Sequence, residues 1–224
     1  MKTFLYLFSI VLIFSACKKS GSGSTTPPTN TYANVSTGSS WNYQQIDSSG
    51  ATPKTTNYTI TSTANDTTIN TRKYHVYNYS YGGSQYLSNS ANEYYQFDSI
   101  PVTGGSYIER LYLKDNVSAG TTWSQNFNLN IPQSPVPISL MVTNTLVAKG
   151  ISMTVNGVPY SDVIHVSTSL SSVLFPANSF ISNIDSYYAP KVGLIENTSK
   201  VQLDFSGLTE NLNTKTELMS SDLK

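Results

Sequence analysis

The sequence predicts an all-β protein, an antiparallel meander of roughly ten to twelve strands curled into a barrel or half-barrel, with a two-sheet sandwich as the alternative. Three observations carry this. Apolar and polar residues alternate with period two along most of the chain, turn-forming residues recur at strand-length intervals, and no helical period is sustained after Cys17. The composition agrees. Charged residues are 12% of the 224, against about 25% in a typical domain. Ser, Thr and Asn supply the polarity, and tyrosine occurs 16 times. Hydroxyl, amide and aromatic side chains suit sheets with one face in water.

In chain order, residues 1–16 stand apart. Lys2 precedes an apolar run from Phe4 to Phe14 that only Ser9 interrupts, and Ser15-Ala16-Cys17 follows. This is a short positive segment, a hydrophobic segment and small residues before a cleavage position. The run is shorter than the roughly 20 residues that cross a bilayer. With Cys17 at its end it resembles a bacterial lipoprotein signal. The resemblance implies that the Cys17 thiol is lipidated and becomes the mature N-terminus, with the membrane as a partner. Two or more acyl chains, at about 0.8 kcal/mol per buried methylene, anchor stably. Residues 17–31 then read as lipidated cysteine and tether, rich in Gly and Ser and stiffened by Pro27-Pro28. Lys18-Lys19 stand where surface-exported Bacteroidota lipoproteins usually carry acids, so the resemblance implies the periplasmic face of the outer membrane.

Residues 32–224 read as a single β-rich domain. Trp41 and Tyr43 alternate with Asn42 and Gln44. Tyr58 and Ile60 alternate with Asn57, Thr59 and Thr61. The clearest series is Trp123, Gln125, Phe127, Leu129 and Ile131 against Ser124, Asn126, Asn128 and Asn130. A long strand is predicted around Ile138 to Lys149, and a strand of that length favours strong sheet curvature. Turns are predicted at Asp47–Gly50, Gly82-Gly83, Gly104-Gly105, Asn65–Asn70 and Asp115-Asn116. Asn156-Gly157 is the strongest hairpin signal. Pro132, Pro135 and Pro137 mark a loop, and 176–184 is the one place predicted to admit a helical turn.

The segment Ser36-Thr37-Gly38-Ser39-Ser40-Trp41 echoes Ser118-Ala119-Gly120-Thr121-Thr122-Trp123, and each Trp is expected to plug the core. Three elements occur in order: Gly38-x-x-Trp41-x-Tyr43, then Val155-Asn156-Gly157 running to Val166, then Tyr187-Tyr188-Ala189-Pro190-x-Val192-Gly193-Leu194-Ile195. Together they resemble a broad set of Bacteroidota outer-membrane lipoproteins with a β-rich domain. The resemblance implies fold and location and brings no activity with it.

Chemistry is sparse. The formal net charge is zero and basic residues do not cluster, which argues against nucleic acid as a partner. With one cysteine there is no disulfide framework or thiolate metal site. Two histidines are too few for a common zinc site, and no metal or cofactor is expected. No serine sits in a Gly-x-Ser-x-Gly turn, and His75 and His165 are read as structural or surface residues. Glu93, Asp98, Glu109 and Asp115 are the acids that glycoside hydrolysis would draw on. No catalytic residue is assigned and the protein is expected not to be an enzyme. Tyr77, Tyr79 and Tyr81 share one strand face and are candidate ligand-contact aromatics. Thr67 and Ser99 resemble the acceptors of the Bacteroidota three-residue O-glycosylation sequence. The expected role is a non-catalytic envelope module for an apolar or amphipathic ligand or a partner protein, with a carbohydrate-binding or glycan-processing module as the alternative.

Overall fold

The computed structural model describes residues 31–99, 107–129, 137–176, 179–205 and 208–224. The signal segment, Cys17, the tether up to Asn30 and the Gly104-Gly105 turn lie outside the described residues. Twelve strands follow one another. They are β1 (Ser40–Asp47), β2 (Lys54–Ile69), β3 (Arg72–Tyr79), β4 (Ser84–Ser90), β5 (Glu93–Ser99) and β6 (Tyr107–Lys114). The second half holds β7 (Thr122–Leu129), β8 (Ile138–Val155), β9 (Val158–Ser171), β10 (Phe180–Ala189), β11 (Gly193–Phe205) and β12 (Leu208–Asp222).

All twelve form one antiparallel sheet, in the order β6-β5-β4-β3-β2-β1-β12-β11-β10-β9-β8-β7. Each half of the chain is a meander, and β1 pairs with β12 to join them. A single continuous sheet excludes the two-sheet sandwich. It curls until its edges, β6 and β7, face each other in a nearly closed barrel.

That seam is bridged by side chains. The Gln125 amide oxygen accepts from the Leu111 N–H at 2.6 Å, and its nitrogen donates to Glu109 O at 3.3 Å. Trp123 Nε1 and Asn144 Nδ2 both donate to Leu111 O, at 2.8 and 3.2 Å. Edge strands present unpaired backbone groups that invite aggregation, and here β7 and β8 side chains satisfy the Leu111 N–H and the Leu111 and Glu109 carbonyls of β6.

One end of the barrel is closed by the segment before β1. The Tyr32 and Ala33 side chains are buried there. Tyr32 N donates to the Tyr94 hydroxyl at 3.1 Å, and the Tyr32 hydroxyl donates to Asp162 O at 2.9 Å. Lys191 N donates to Thr31 O, and the Tyr77 hydroxyl to Asn34 O. The segment therefore ties β3, β5, β9 and the β10–β11 turn together across the barrel axis. Gly193 is favoured here by its φ of +94°, a backbone conformation that side chains rarely adopt.

Alternation fixes which residues face in. Leu146, Ile164, Val166, Tyr94 and Leu113 pack under the end segment. Trp41, Tyr43, Tyr77, Val163, Ile195 and Leu218 form a second cluster. Leu129, Leu140, Val142, Leu170 and Val201 form a third toward the other end. Each fully buried aliphatic side chain contributes about 1.5–3 kcal/mol. Trp41 is buried and donates to Val192 O, while Trp123 caps the seam.

Two local expectations are corrected. The predicted turn at Asn65–Asn70 is strand: β2 runs on to Ile69, and the chain reverses at Asn70-Thr71, both with positive φ. A bulge between Ser62 and Asp66 interrupts the β2–β3 ladder instead. Of the predicted helical turn at 176–184, residues 177 and 178 lie outside the described residues; Ser179 N donates to Pro176 O, and β10 begins at Phe180 as strand. The Asn156-Gly157 hairpin forms with φ of 48° and 79°, as a two-residue turn of the primed type requires.

Candidate functional site

The barrel encloses a cavity of about 360 Å³ whose lining comes from every strand but β7. A smaller chamber of about 90 Å³ adjoins it under the end segment. Tyr43, Ile60, Gln85, Gln96, Tyr112, Tyr188 and Leu194 line both, so the two form one lumen. The larger chamber lies within the roughly 300–1,000 Å³ of small-molecule pockets.

Its wall mixes aromatic and aliphatic side chains with amides and hydroxyls. The aliphatic part is Val142, Leu170, Ile184, Val201 and Leu212 from β8 to β12. The polar part includes Gln85, Gln96, Asp98 and Arg110, which project from β4, β5 and β6. Most of the polar groups are engaged with one another. Gln96 donates to Asp98, Asn197 to the Ser186 hydroxyl, and Thr168 to the Asn144 amide oxygen. Burial pushes the Tyr43, Tyr112 and Tyr188 hydroxyls above their ordinary range. Tyr58 is pushed up to about 12, first by burial and then by Tyr81. These phenols are therefore neutral near neutral pH, and Arg110 is the fixed cation of the lumen.

Of the tyrosines singled out in the sequence, Tyr77 lines the small chamber and Tyr79 the larger one. Tyr81 is 67% exposed at the β3–β4 turn and lines neither. It stacks on Tyr79 with ring centroids 4.9 Å apart and meets Tyr58 edge-on. Thr67 lies in β2 opposite Tyr74 and is half-buried. Ser99 ends β5 opposite Tyr107, and its side chain lies outside the described residues. Thr67 does not line the lumen.

Each histidine is held by an aspartate. His165 Nε2 lies 2.8 Å from Asp185 Oδ1 on the neighbouring strand and stacks on Tyr187. His75 has two partners: Nδ1 meets Asp66 Oδ1 and Nε2 meets the Ser62 hydroxyl, each at 2.8 Å. This serine–histidine–aspartate chain was not visible in the sequence, because the β2 bulge decides that Asp66 and Ser62 flank one ring. It has the connectivity of a nucleophilic triad. The surroundings do not match that role. Ser62 is 1% exposed, and its own N–H is committed to Ser39 O. Lys73 and then His75 hold the Asp66 carboxyl below its ordinary value. The three side chains staple the bulge.

The other acids are also engaged. Glu93 pairs with Lys114, Glu109 with Arg72 and the Tyr74 hydroxyl, and Asp115 accepts from the Tyr94 hydroxyl. Among the described residues, no group of three or more His, Cys, Asp or Glu side chains is placed to hold a metal ion.

No protein-family model and no curated protein matches the chain. Two solved structures are similar to it. One is a protein of Parabacteroides distasonis provisionally described as a lipoprotein, 12% identical, covering 88% of this chain and 100% of its own, with a TM-score of 0.52. The other is from Bacteroides fragilis, provisionally described as an exported protein with a YmcC-like fold. It is 8% identical over 86% of this chain and 99% of its own, with a TM-score of 0.43. At these identities the Parabacteroides structure establishes a shared fold.

Proposed function

We propose that this chain is a cell-envelope lipoprotein, lipid-anchored through Cys17 to the periplasmic face of the outer membrane, whose barrel is a non-catalytic carrier or sensor of an apolar or amphipathic ligand. The observation that carries the reading is the lumen of about 360 Å³, enclosed by the sheet and stopped at one end by Tyr32 and Ala33. Anchoring is supported by the Ser15-Ala16-Cys17 sequence and by the description of the Parabacteroides neighbour as a lipoprotein. A short tether of the Gly/Ser kind reaches on the order of 20 Å, which keeps the barrel beside the bilayer that would supply such a ligand.

Filling the lumen tests this. An environment-sensitive apolar dye is expected to brighten on the wild-type domain. Leu170→Trp, which projects new bulk into the cavity, should abolish the signal while the β-sheet circular dichroism is retained. Equal dye binding by the two proteins would place the dye elsewhere and sink the reading.

Carbohydrate binding is the second reading. Gln96 and Asp98 face the lumen, so by strand alternation Phe97 faces away from it. There Tyr107, 60% exposed, stacks on Phe97 at 5.6 Å. An exposed ring on a rigid strand suits a sugar face. Glycan-array binding lost in Tyr107→Ala, with dye binding intact, would favour this reading over the lumen.

A further inference from the structure

Arg110 occupies an unusual position for its type. It lies on β6 with Ile108 and Tyr112 flanking it at alternate positions, and it pairs across the ladder with Gln96, so it points into the lumen. Its Nε is buried and has no hydrogen-bond partner. Among the described residues it is the one buried side-chain nitrogen or oxygen in that condition. A guanidinium keeps its charge in proteins, and an unpartnered buried donor carries a desolvation penalty. Such an orphan on the wall of a cavity is a site whose missing acceptor belongs to a ligand.

Resting on the reading of the lumen as a binding cavity, we propose that Arg110 anchors the acidic headgroup of the ligand, which is an amphipathic carboxylate. The apolar body fits the wall formed by Val142, Leu170, Ile184, Val201 and Leu212, which line the same cavity. The planar fork of Arg matches a carboxylate in geometry and charge. Asp98 lines the same chamber, and its negative charge disfavours a doubly charged head such as a phosphate monoester. The lumen phenols are neutral, so they add no competing anion; burial holds each of them above its ordinary value.

The test compares dodecanoate with dodecanol on the wild-type domain and on Arg110→Met, which keeps an unbranched apolar stem and removes the charge and donors. Calorimetry or dye displacement should show dodecanoate binding the wild type about ten- to a hundredfold tighter than the alcohol, the range of one charge-assisted hydrogen bond. In Arg110→Met that preference should vanish while dodecanol affinity is kept. Equal affinities for acid and alcohol in the wild type would overturn the role of Arg110 and leave the lumen as an apolar site. An acid preference that survives in Arg110→Met would do the same. Failure of both compounds to bind the wild type would bring down the lumen reading itself. The wild-type comparison decides even if Arg110→Met does not fold.

Discussion

At the scale of single residues, the barrel is governed by tyrosines whose hydroxyls are bound inside it. Tyr94 donates to Asp115 at 2.5 Å and accepts from Tyr32 N, and burial followed by Asp115 pushes it up to about 12. Tyr58 is raised to about 12 by burial. A phenol whose value rises on folding stabilises the folded state fully below its unfolded value near 10, and that contribution is lost as pH climbs through the folded value. Alkaline titration should therefore show phenolate absorbance from these tyrosines appearing between about pH 10 and 12 together with loss of the sheet signal in circular dichroism. Full ionisation of all tyrosines around pH 10 with an intact sheet would contradict their burial. The lumen arginine and the histidine staple differ in how visible they were. Arg110 interrupts an inward series with Ile108 and Tyr112, so parity on β6 was a signal that could have found it. Ser62, His75 and Asp66 left no such trace, because their meeting depends on a bulge that shifts register between β2 and β3.

At the scale of elements, the strands themselves were legible because period-two alternation is imposed by the pleat and the buried face. The series from Trp123 to Leu129 turns the same way in the structure as in the pattern. The reversals were legible where backbone chemistry demands them, as at Asn156-Gly157, and not where Asn70 and Thr71 adopt positive φ without a glycine. The seam between β6 and β7 could not be read at all. Gln125 looks like one more amide on the core side of an alternating strand, yet its amide substitutes for a missing ladder. Replacing it with Ala leaves the Leu111 N–H unpaired in a largely buried position, which destabilises by about 1–3 kcal/mol. Urea denaturation of Gln125→Ala should show that loss, and hydrogen exchange should quicken first at Leu111. Unchanged stability and exchange would mean that the seam is held by packing alone.

At the scale of the whole molecule, the proposed anchor at Cys17 is separate in sequence from the described barrel. The described barrel begins at Thr31, which accepts from Lys191 N, and contains no cysteine. Cys17→Ser should therefore move the protein from the detergent phase to the aqueous phase in phase partitioning without altering its melting. Retained detergent partitioning would refute the lipid anchor. The fold class was readable from a repeating pattern. The lumen was not, because whether a curled sheet encloses space depends on side chains from eleven strands meeting across the axis, which no local window contains. The central claim is that this space is occupied in the cell. Native mass spectrometry of the protein extracted from its own envelope tests it most directly. The wild type should carry one lipid-sized acidic adduct that is absent from Leu170→Trp. A wild-type barrel that is empty, or an adduct that persists in the filled variant, would contradict it.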